Sequence, residues 1–175
     1  MAIEIEVKFP VRDFDEVRKK LKKKYRATRV GEGPEKVFLF DTSRGELKKR
    51  GMQLRVKEWR IRPKTVSTIT LKTQHKKDEM KYKEMKEEEI KISDARVAVG
   101  MLEGLGFIEW FRYTKHRERW KYHAVTIELD TLKDGRRFVE IEATKQDIRS
   151  MVKLLHFDME TAIKKGYVAI LREKK

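Results

Sequence analysis

Apolar and charged residues alternate through much of the chain, beginning with AIEIEVKF at residues 2–9. A strand turns its side chains over at every residue. Ile3, Ile5, Val7 and Phe9 therefore share one side, and Glu4, Glu6 and Lys8 the other. The same period of two marks MQLRVKEW (52–59), STITLKT (67–73), EEEIKI (87–92), YTKHRERWKY (113–122), AVTIELD (124–130) and RFVEIEA (137–143). VFLFDT (37–42) reads as a further strand ending at a turn. Helical spacing takes over elsewhere. Asp13 and Glu16 predict a capped start before the stripe Phe14, Val17, Leu21. Ser93 or Asp94 caps a second helix bearing Val97, Met101, Leu102 and Leu105, which Gly106 stops. Residues 145–156 put Ile148, Met151, Val152 and Leu155 on one side, and the stretch from Ala162 to Leu171 also reads as helical. No repeat or Pro/Ser-rich linker divides these elements. About eight strands with three or four helices predict a single α+β domain over 1–175, dominated by antiparallel strands.

The ionic side recurs from strand to strand. Charges two apart appear as Glu4/Glu6/Lys8, Arg55/Lys57, Glu87/Glu89, Lys115/Arg117, Glu128/Asp130 and Glu140/Glu142, with Lys72 alone in a seventh strand. An ordinary wet sheet face mixes in Ser, Thr, Gln and Asn, whereas this one is almost purely ionic. Two arrangements fit. An open sheet packs its apolar side on helices and leaves the charges in water. A closed barrel turns the charges inward, around space for side chains or one small ligand. Buried ions need partners, so a charged interior requires acids and bases that neutralise each other and a charged ligand that joins them.

Composition narrows the chemistry. Charged residues make up 42% of the chain, the net charge is +15, and asparagine and cysteine are missing. The Lys/Glu bias suits a hyperthermophilic source. The positive excess implies an anionic partner, without choosing among nucleic acid, membrane surface and phosphorylated small molecule. Lacking cysteine, the chain has no disulfide, thiolate metal site or Cys nucleophile. Its four histidines show no zinc-ligand spacing. With no apolar run long enough to span a bilayer and no signal-like N-terminus, a cytoplasmic protein is expected. Acidic pairs lie in the first and late strands, and bases dominate the middle ones. Carboxylate clusters suit a hard ion such as Mg2+ or Mn2+, and neighbouring Lys and Arg suit a chain of phosphates.

Glu4-x-Glu6-x-Lys8 resembles the signature of the CYTH superfamily, the triphosphate tunnel metalloenzymes, which include class IV adenylyl cyclases, thiamine triphosphatases and inorganic triphosphatases. The resemblance covers nearly the whole chain. FDTSRGELKKRGMQLRVK (40–57) is similar to the family's strand–turn–strand segment, TLK (70–72) to its phosphate-binding lysine strand, and KHRERWKY (115–122) to its Lys-x-Arg strand. LDTLKDGRRFVEIE (129–142) resembles the stretch closing the metal site, and KKGYVAIL (164–171) the C-terminal segment. The resemblance implies a closed antiparallel eight-stranded barrel with a charged interior and helices outside. It implies metal binding by Glu4, Glu6, Asp130, Glu140 and Glu142, and phosphate binding by Lys8, Arg55, Lys57, Lys72, Lys115, Arg117 and, near the mouth, Lys165. Glu4, Glu6 and Lys8 stand as the catalytic strand. Glu87, Glu89 and Glu128 are implied as further tunnel acids. Where the family often has Arg two residues before Glu87, this chain has Met85, with Lys83 or Lys86 to compensate. Arg136 and Arg137 precede Phe138 where the family has an acidic or small residue, and Gly166 stands in place of Ser.

The class IV cyclase branch is the most similar, implying conversion of ATP to cyclic AMP and pyrophosphate. Hydrolysis of thiamine triphosphate, a nucleoside triphosphate or tripolyphosphate is the alternative. Trp59, Phe111, Trp120 and Tyr122 are the aromatic residues available to stack on an organic group. The family also implies a possible homodimer. A basic nucleic-acid- or polyphosphate-binding module without catalysis, suggested by Lys19, Lys20, Lys22, Lys23 and Lys24, is the competing class.

Overall fold

A strand with one apolar and one ionic side must hide the first without stranding the second. The chain meets both demands by rolling its strands into a tube whose apolar sides face outward under helices. The computed structural model describes residues 2–75 and 82–173. Its strands are β1 (Ala2–Val11), β2 (Thr28–Asp41), β3 (Met52–Ile61), β4 (Lys64–Gln74), β5 (Lys83–Ile92), β6 (Ile108–Tyr122), β7 (Val125–Leu132) and β8 (Arg137–Glu142). They form a closed barrel in the order β1-β5-β4-β3-β2-β6-β7-β8, every pairing antiparallel, with β8 returning to β1. The closed arrangement, rather than the open sheet, is therefore the one adopted.

Among the described residues, five α-helices accompany the barrel: α1 (Asp15–Lys19), extended by a π-helical turn over Lys20–Lys24, α2 (Glu46–Lys49), α3 (Ala95–Gly104), α4 (Lys145–Leu155) and α5 (Tyr167–Arg172). Phe14, Val17 and Leu21 join Ile148, Met151, Val152 and Leu155 over the outward sides of β1, β7 and β8, burying Val7, Phe9, Ile127, Leu129, Val139 and Ile141. A second cluster joins Ala95 and Leu102 of α3 to Phe40 and Val56. A third seats Tyr167 and Ile170 of α5 on Leu132 and Phe138 at one end of the barrel. None of the described helices is long and apolar enough to cross a membrane.

Several boundaries differ from expectation for local reasons. β2 begins at Thr28 rather than near 37, because Gly31, Gly33 and Pro34 mask a strand whose backbone passes very close to its neighbour. A Cβ on Gly33 would lie 1.9 Å from the Arg60 carbonyl oxygen. β4, β5 and β6 each start several residues earlier than their alternation suggests. Asp94, not Ser93, caps α3 by accepting the Arg96 N–H at 2.7 Å. Gly106, at φ +88°, closes the end of the same helix. Asp13 accepts only the Asp15 N–H at 3.1 Å, and the residue preceding α1 is Phe14. The C-terminal stretch is not continuously helical. It makes a short 3-10 turn (Met159–Thr161), bridges Ile163 to Lys8, and becomes α-helical at Tyr167.

Candidate active site

Strand alternation dictates what lines the tube. With Val7 and Phe9 outside, Glu4, Glu6 and Lys8 project inside, and antiparallel register carries the parity from strand to strand. Glu6 pairs with Glu142, Lys8 with Glu140, Glu140 with Glu128, Lys72 with Glu87 and Arg55 with Thr70. A cavity of about 490 Å³ results, lined among others by Glu4, Glu6, Lys8, Arg55, Lys72, Lys83, Lys115, Arg117, Glu128 and Glu140.

The bases and acids of this interior hold one another. Arg117 donates to both oxygens of Asp130 (2.7 and 2.6 Å) and lies 2.6 Å from Glu128 and 2.8 Å from Glu140. Lys115 contacts Asp130 at 2.9 Å and Glu35 at 3.3 Å. Lys8 reaches Glu140 at 3.1 Å and donates to the Lys165 carbonyl at 2.9 Å. Lys57 meets Glu89 at 2.6 Å, Lys83 meets Glu6 at 2.6 Å, and Lys72 bridges Glu4 and Glu87. One donor is left over. Among the described residues, Arg55 Nε is the buried side-chain polar atom with no hydrogen-bond partner, and the nearest carboxylate to its guanidinium, Glu87, is 3.6 Å away.

The acids are not equivalent. Burial drives the Glu4 carboxyl up to about 8, helped by Glu6 and Glu87 and resisted by Lys72. Burial likewise raises Glu142, with Glu128 and Glu6 adding to it. Burial works against ionisation of Glu6 too, but Lys83, Lys72 and Lys8 outweigh it and hold that carboxyl down to about 2. Glu140 is kept well below the carboxylate range by Lys8, Lys115 and Arg117 despite its burial. Two groups of acids follow. Glu128, Asp130 and Glu140 bring oxygens within 4.8 Å of one another, close enough for a metal ion, but the Arg117 guanidinium already lies among them. At Glu4, Glu6 and Glu142, burial first and neighbouring carboxylates second make Glu4 and Glu142 hold their protons tightly, while Lys83 keeps Glu6 ionised. Carboxylates are the hard oxygen donors that suit a divalent cation, but among the described residues Glu4, Glu6 and Glu142 do not bring their oxygens within 4.8 Å of one another.

Lys165 differs from the other expected residues. Its side chain is 60% exposed outside the barrel and pairs with Glu173, while its backbone carbonyl faces in toward Lys8. Lys83, two residues before Met85, lines the cavity and pairs with Glu6. Glu35, Tyr113, Trp110 and Tyr167 were absent from the set expected from sequence. Glu35 sits on the Gly/Pro-interrupted half of β2 and is drawn well below its usual range by Arg117 and Lys115 against the cost of burial. Tyr167 enters from α5, donates to Asp130 at 2.7 Å and lies under Lys8 and Lys115 at 4.0 and 4.3 Å from its ring centre. Trp110 is aimed into the cavity by a β-bulge: Phe111 pairs with Leu39 and Glu109 with Phe40, leaving Trp110 unpaired between them. Of the aromatics proposed for stacking, Trp59 and Trp120 are buried in packing, and Phe111 and Tyr122 lie outside the cavity lining.

Comparison with known proteins agrees with this geometry. The CYTH domain profile matches residues 2–167. No curated protein matches. A Pyrococcus horikoshii protein is 26% identical, with a TM-score of 0.78 over 94% of this chain and 97% of its own. A proposed adenylate cyclase from Vibrio parahaemolyticus is 21% identical at a TM-score of 0.85, covering 98% of both chains. A proposed adenylyl cyclase from Hippeastrum, described as having a dominant triphosphatase activity, is 17% identical at a TM-score of 0.70 over 98% of this chain and 95% of its own. With the barrel, its ionic lumen and a profile match over nearly the whole chain, the protein belongs to the CYTH domain family.

Proposed function

We propose that the tunnel binds a nucleoside triphosphate together with Mg2+ or Mn2+, and that the enzyme converts ATP to cyclic AMP and pyrophosphate. The observation that carries this reading is Arg55, whose buried Nε has no partner and whose side chain lines a cavity walled also by Lys72, Lys83 and Lys115. A buried donor left unpaired is costly, and a phosphate oxygen would satisfy it with a charge-assisted bond. Binding would proceed by exchange. Lys72 and Lys83 would leave their carboxylates for phosphate oxygens, and Glu4, Glu6 and Glu142 would turn to the metal, with Glu140 and Asp130 behind them. A divalent ion held there would supply charge neutralisation on the phosphates. Lys8, Lys57, Lys115 and Arg117 would extend the cationic wall, with Arg117 and its acids also fixing the geometry. Glu87, Glu89 and Glu128 would orient the bases that they touch.

The mouth favours a neutral planar group on the triphosphate. Phe40, Met52, Met85 and Trp110 line it, and the Trp110 ring lies between Lys48 and Arg172, 5.8 and 5.1 Å away. Such a wall suits a nucleobase and repels the cationic ring of thiamine. In cyclisation the ribose 3′-oxygen would bond to the α-phosphorus, the bond from that phosphorus to the pyrophosphate oxygen would break, and the hydroxyl proton would pass to a tunnel carboxylate. The residues supply positioning and charge rather than a covalent nucleophile. Hydrolysis of the same bound substrate is the second reading, favoured by the triphosphatase activity described for the Hippeastrum neighbour. Incubation of ATP, GTP, thiamine triphosphate and tripolyphosphate with either metal tests both. Cyclic AMP and pyrophosphate are the expected products from ATP, whereas orthophosphate would select the hydrolase. Glu6→Gln and Lys72→Ala should each abolish turnover in folded protein, and wild-type rates in both would refute the tunnel as the site.

A further inference from the structure

Acidic residues are absent from three stretches of the chain: 17–31, which holds eight Lys and Arg, 119–127 and 148–157. The fold brings the three together. Thr28 pairs with Lys121 across β2 and β6, and the rings of Tyr25 and Tyr122 meet edge-on at 5.7 Å. Tyr25 and Lys20 also hold the end of α4, donating to the carbonyls of Leu154 at 3.1 Å and Leu155 at 2.8 Å. Glu118, just ahead of the second stretch, is buried and already held by Arg18 at 2.8 Å and Arg29 at 3.3 Å. What remains outside is positive. Lys22, Lys23, Lys24, Arg26, Lys121 and Lys153 are exposed, and none forms an ion pair with a described residue.

The backbone singles out the same place. Each stretch contains one non-glycine residue in the left-handed region: Arg26 (φ 51°), His123 (φ 50°) and His156 (φ 62°), all exposed. Among the described residues no other non-glycine position adopts it. Glycine suits such backbone better, both in a two-residue hairpin and at a helix end. The Lys20–Lys24 turn is π-helical, a rare form that presents Lys22, Lys23 and Lys24 to solvent in succession. Cationic and imidazole side chains kept where glycine fits better point to a role beyond the fold.

We infer that this end of the molecule binds single-stranded nucleic acid across the π-helical turn, the β6–β7 hairpin and the end of α4. The exposed cations suit a phosphate backbone. The half-buried Tyr25 and Tyr122 and the exposed His123 alternate with Lys24, Arg26 and Lys121 and offer rings to unstacked bases. A lipid surface fits less well, because Val30 is the one exposed large apolar side chain of the described residues that falls in these stretches. An acidic protein segment would leave the rings unused. The hairpin lies at the end of the barrel away from α5, which packs on Leu132 at the other end of β7. The inference therefore stands apart from the proposed reaction.

Fluorescence anisotropy of the full chain with labelled 5′-hydroxyl oligonucleotides of about 16 nucleotides tests it. Single-stranded RNA, single-stranded DNA and duplex DNA form separate arms, beside flotation with phosphatidylserine vesicles. Single strands should bind more tightly than duplex or vesicles, with affinity falling steeply as salt rises, and the tighter of the two strands names the sugar. Lys23→Glu combined with Arg26→Glu should lower that affinity by about tenfold or more. Lys49→Glu combined with Lys133→Glu, an equal charge change at the other end of the barrel, should leave it unchanged. His123→Gly should melt no lower than wild type, since glycine suits its backbone, and should weaken single-strand binding by about fivefold or more. Equal losses in the two charge-reversed pairs, a preference for duplex or vesicles, or wild-type affinity in His123→Gly would overturn the inference.

Discussion

Arg55 is the residue whose environment is least complete without a ligand. Its guanidinium has Glu87 at 3.6 Å, as its neighbours on the tunnel wall have their own carboxylates, but its buried Nε has no hydrogen-bond partner. Arg55→Ala is therefore expected to cost triphosphate turnover more than fold stability, by about 10²–10³ in kcat as for loss of one preorganised donor. Steady-state kinetics beside a thermal melt separates the two effects. Glu4 makes the opposite kind of statement. An unfolded glutamate titrates near 4.3, and the folded carboxyl is pushed up to about 8. Between these values the folded state holds a proton that the unfolded state lacks. Glu4's contribution to stability is thus complete below the lower value and lost as pH rises through the upper one. Glu6 and Glu87, both held at about 2, contribute stability above the unfolded value and lose it as pH falls toward 2. Metal-free protein should melt lower at about pH 8.5 than at about pH 6, and added Mn2+ should raise the melting temperature more at the higher pH. The reverse order would remove Glu4 from the metal site. Much of this lumen was legible as residues: Glu4, Glu6, Arg55, Lys72, Lys115 and Glu140 all line one cavity. Lys165 was not, because a side chain just outside a helix has no strand parity to fix its direction.

At the scale of elements, parity is both the reason the barrel could be read and the reason its mouth could not. The uninterrupted β1 keeps Glu4, Glu6 and Lys8 on one side, and β3 keeps Arg55 and Lys57 together, so sequence and register agree there. β6 breaks step at its bulge, and Trp110, which alternation alone would not have chosen, becomes the aromatic wall of the cavity. β2 hid Glu35 for a related reason, its glycines and proline resembling a loop. α5 was legible only as a vague helical tendency, because its job is to lower Tyr167 onto Lys8, Lys115 and Asp130, contacts distant in sequence. A consequence belongs to the bulge. Trp110→Ala should weaken ATP by about tenfold or more in KM, since one stacked base contributes about 1–3 kcal/mol, and leave inorganic tripolyphosphate unaffected. Equal losses for both substrates would place the nucleobase elsewhere.

For the molecule as a whole, the inward acids and bases nearly cancel, so the net positive charge of the described residues is carried mainly outside the lumen. The net charge that first suggested an anionic partner is therefore not the charge of the site. The lumen is a neutral lattice of paired ions that admits a ligand bringing both signs at once, a polyanion with its metal. The outer charge draws anions toward the protein and is screened by salt. These two sources of anion binding separate in a single measurement, a calorimetric titration of ATP with Mg2+ into wild type, Glu6→Gln and Lys72→Ala at moderate salt. A lumenal site predicts one saturable site per chain in the wild type and none in either variant, with all three equally folded. The same heats in all three would mean that ATP binds the basic exterior and that the charged inside of the barrel is not the active site.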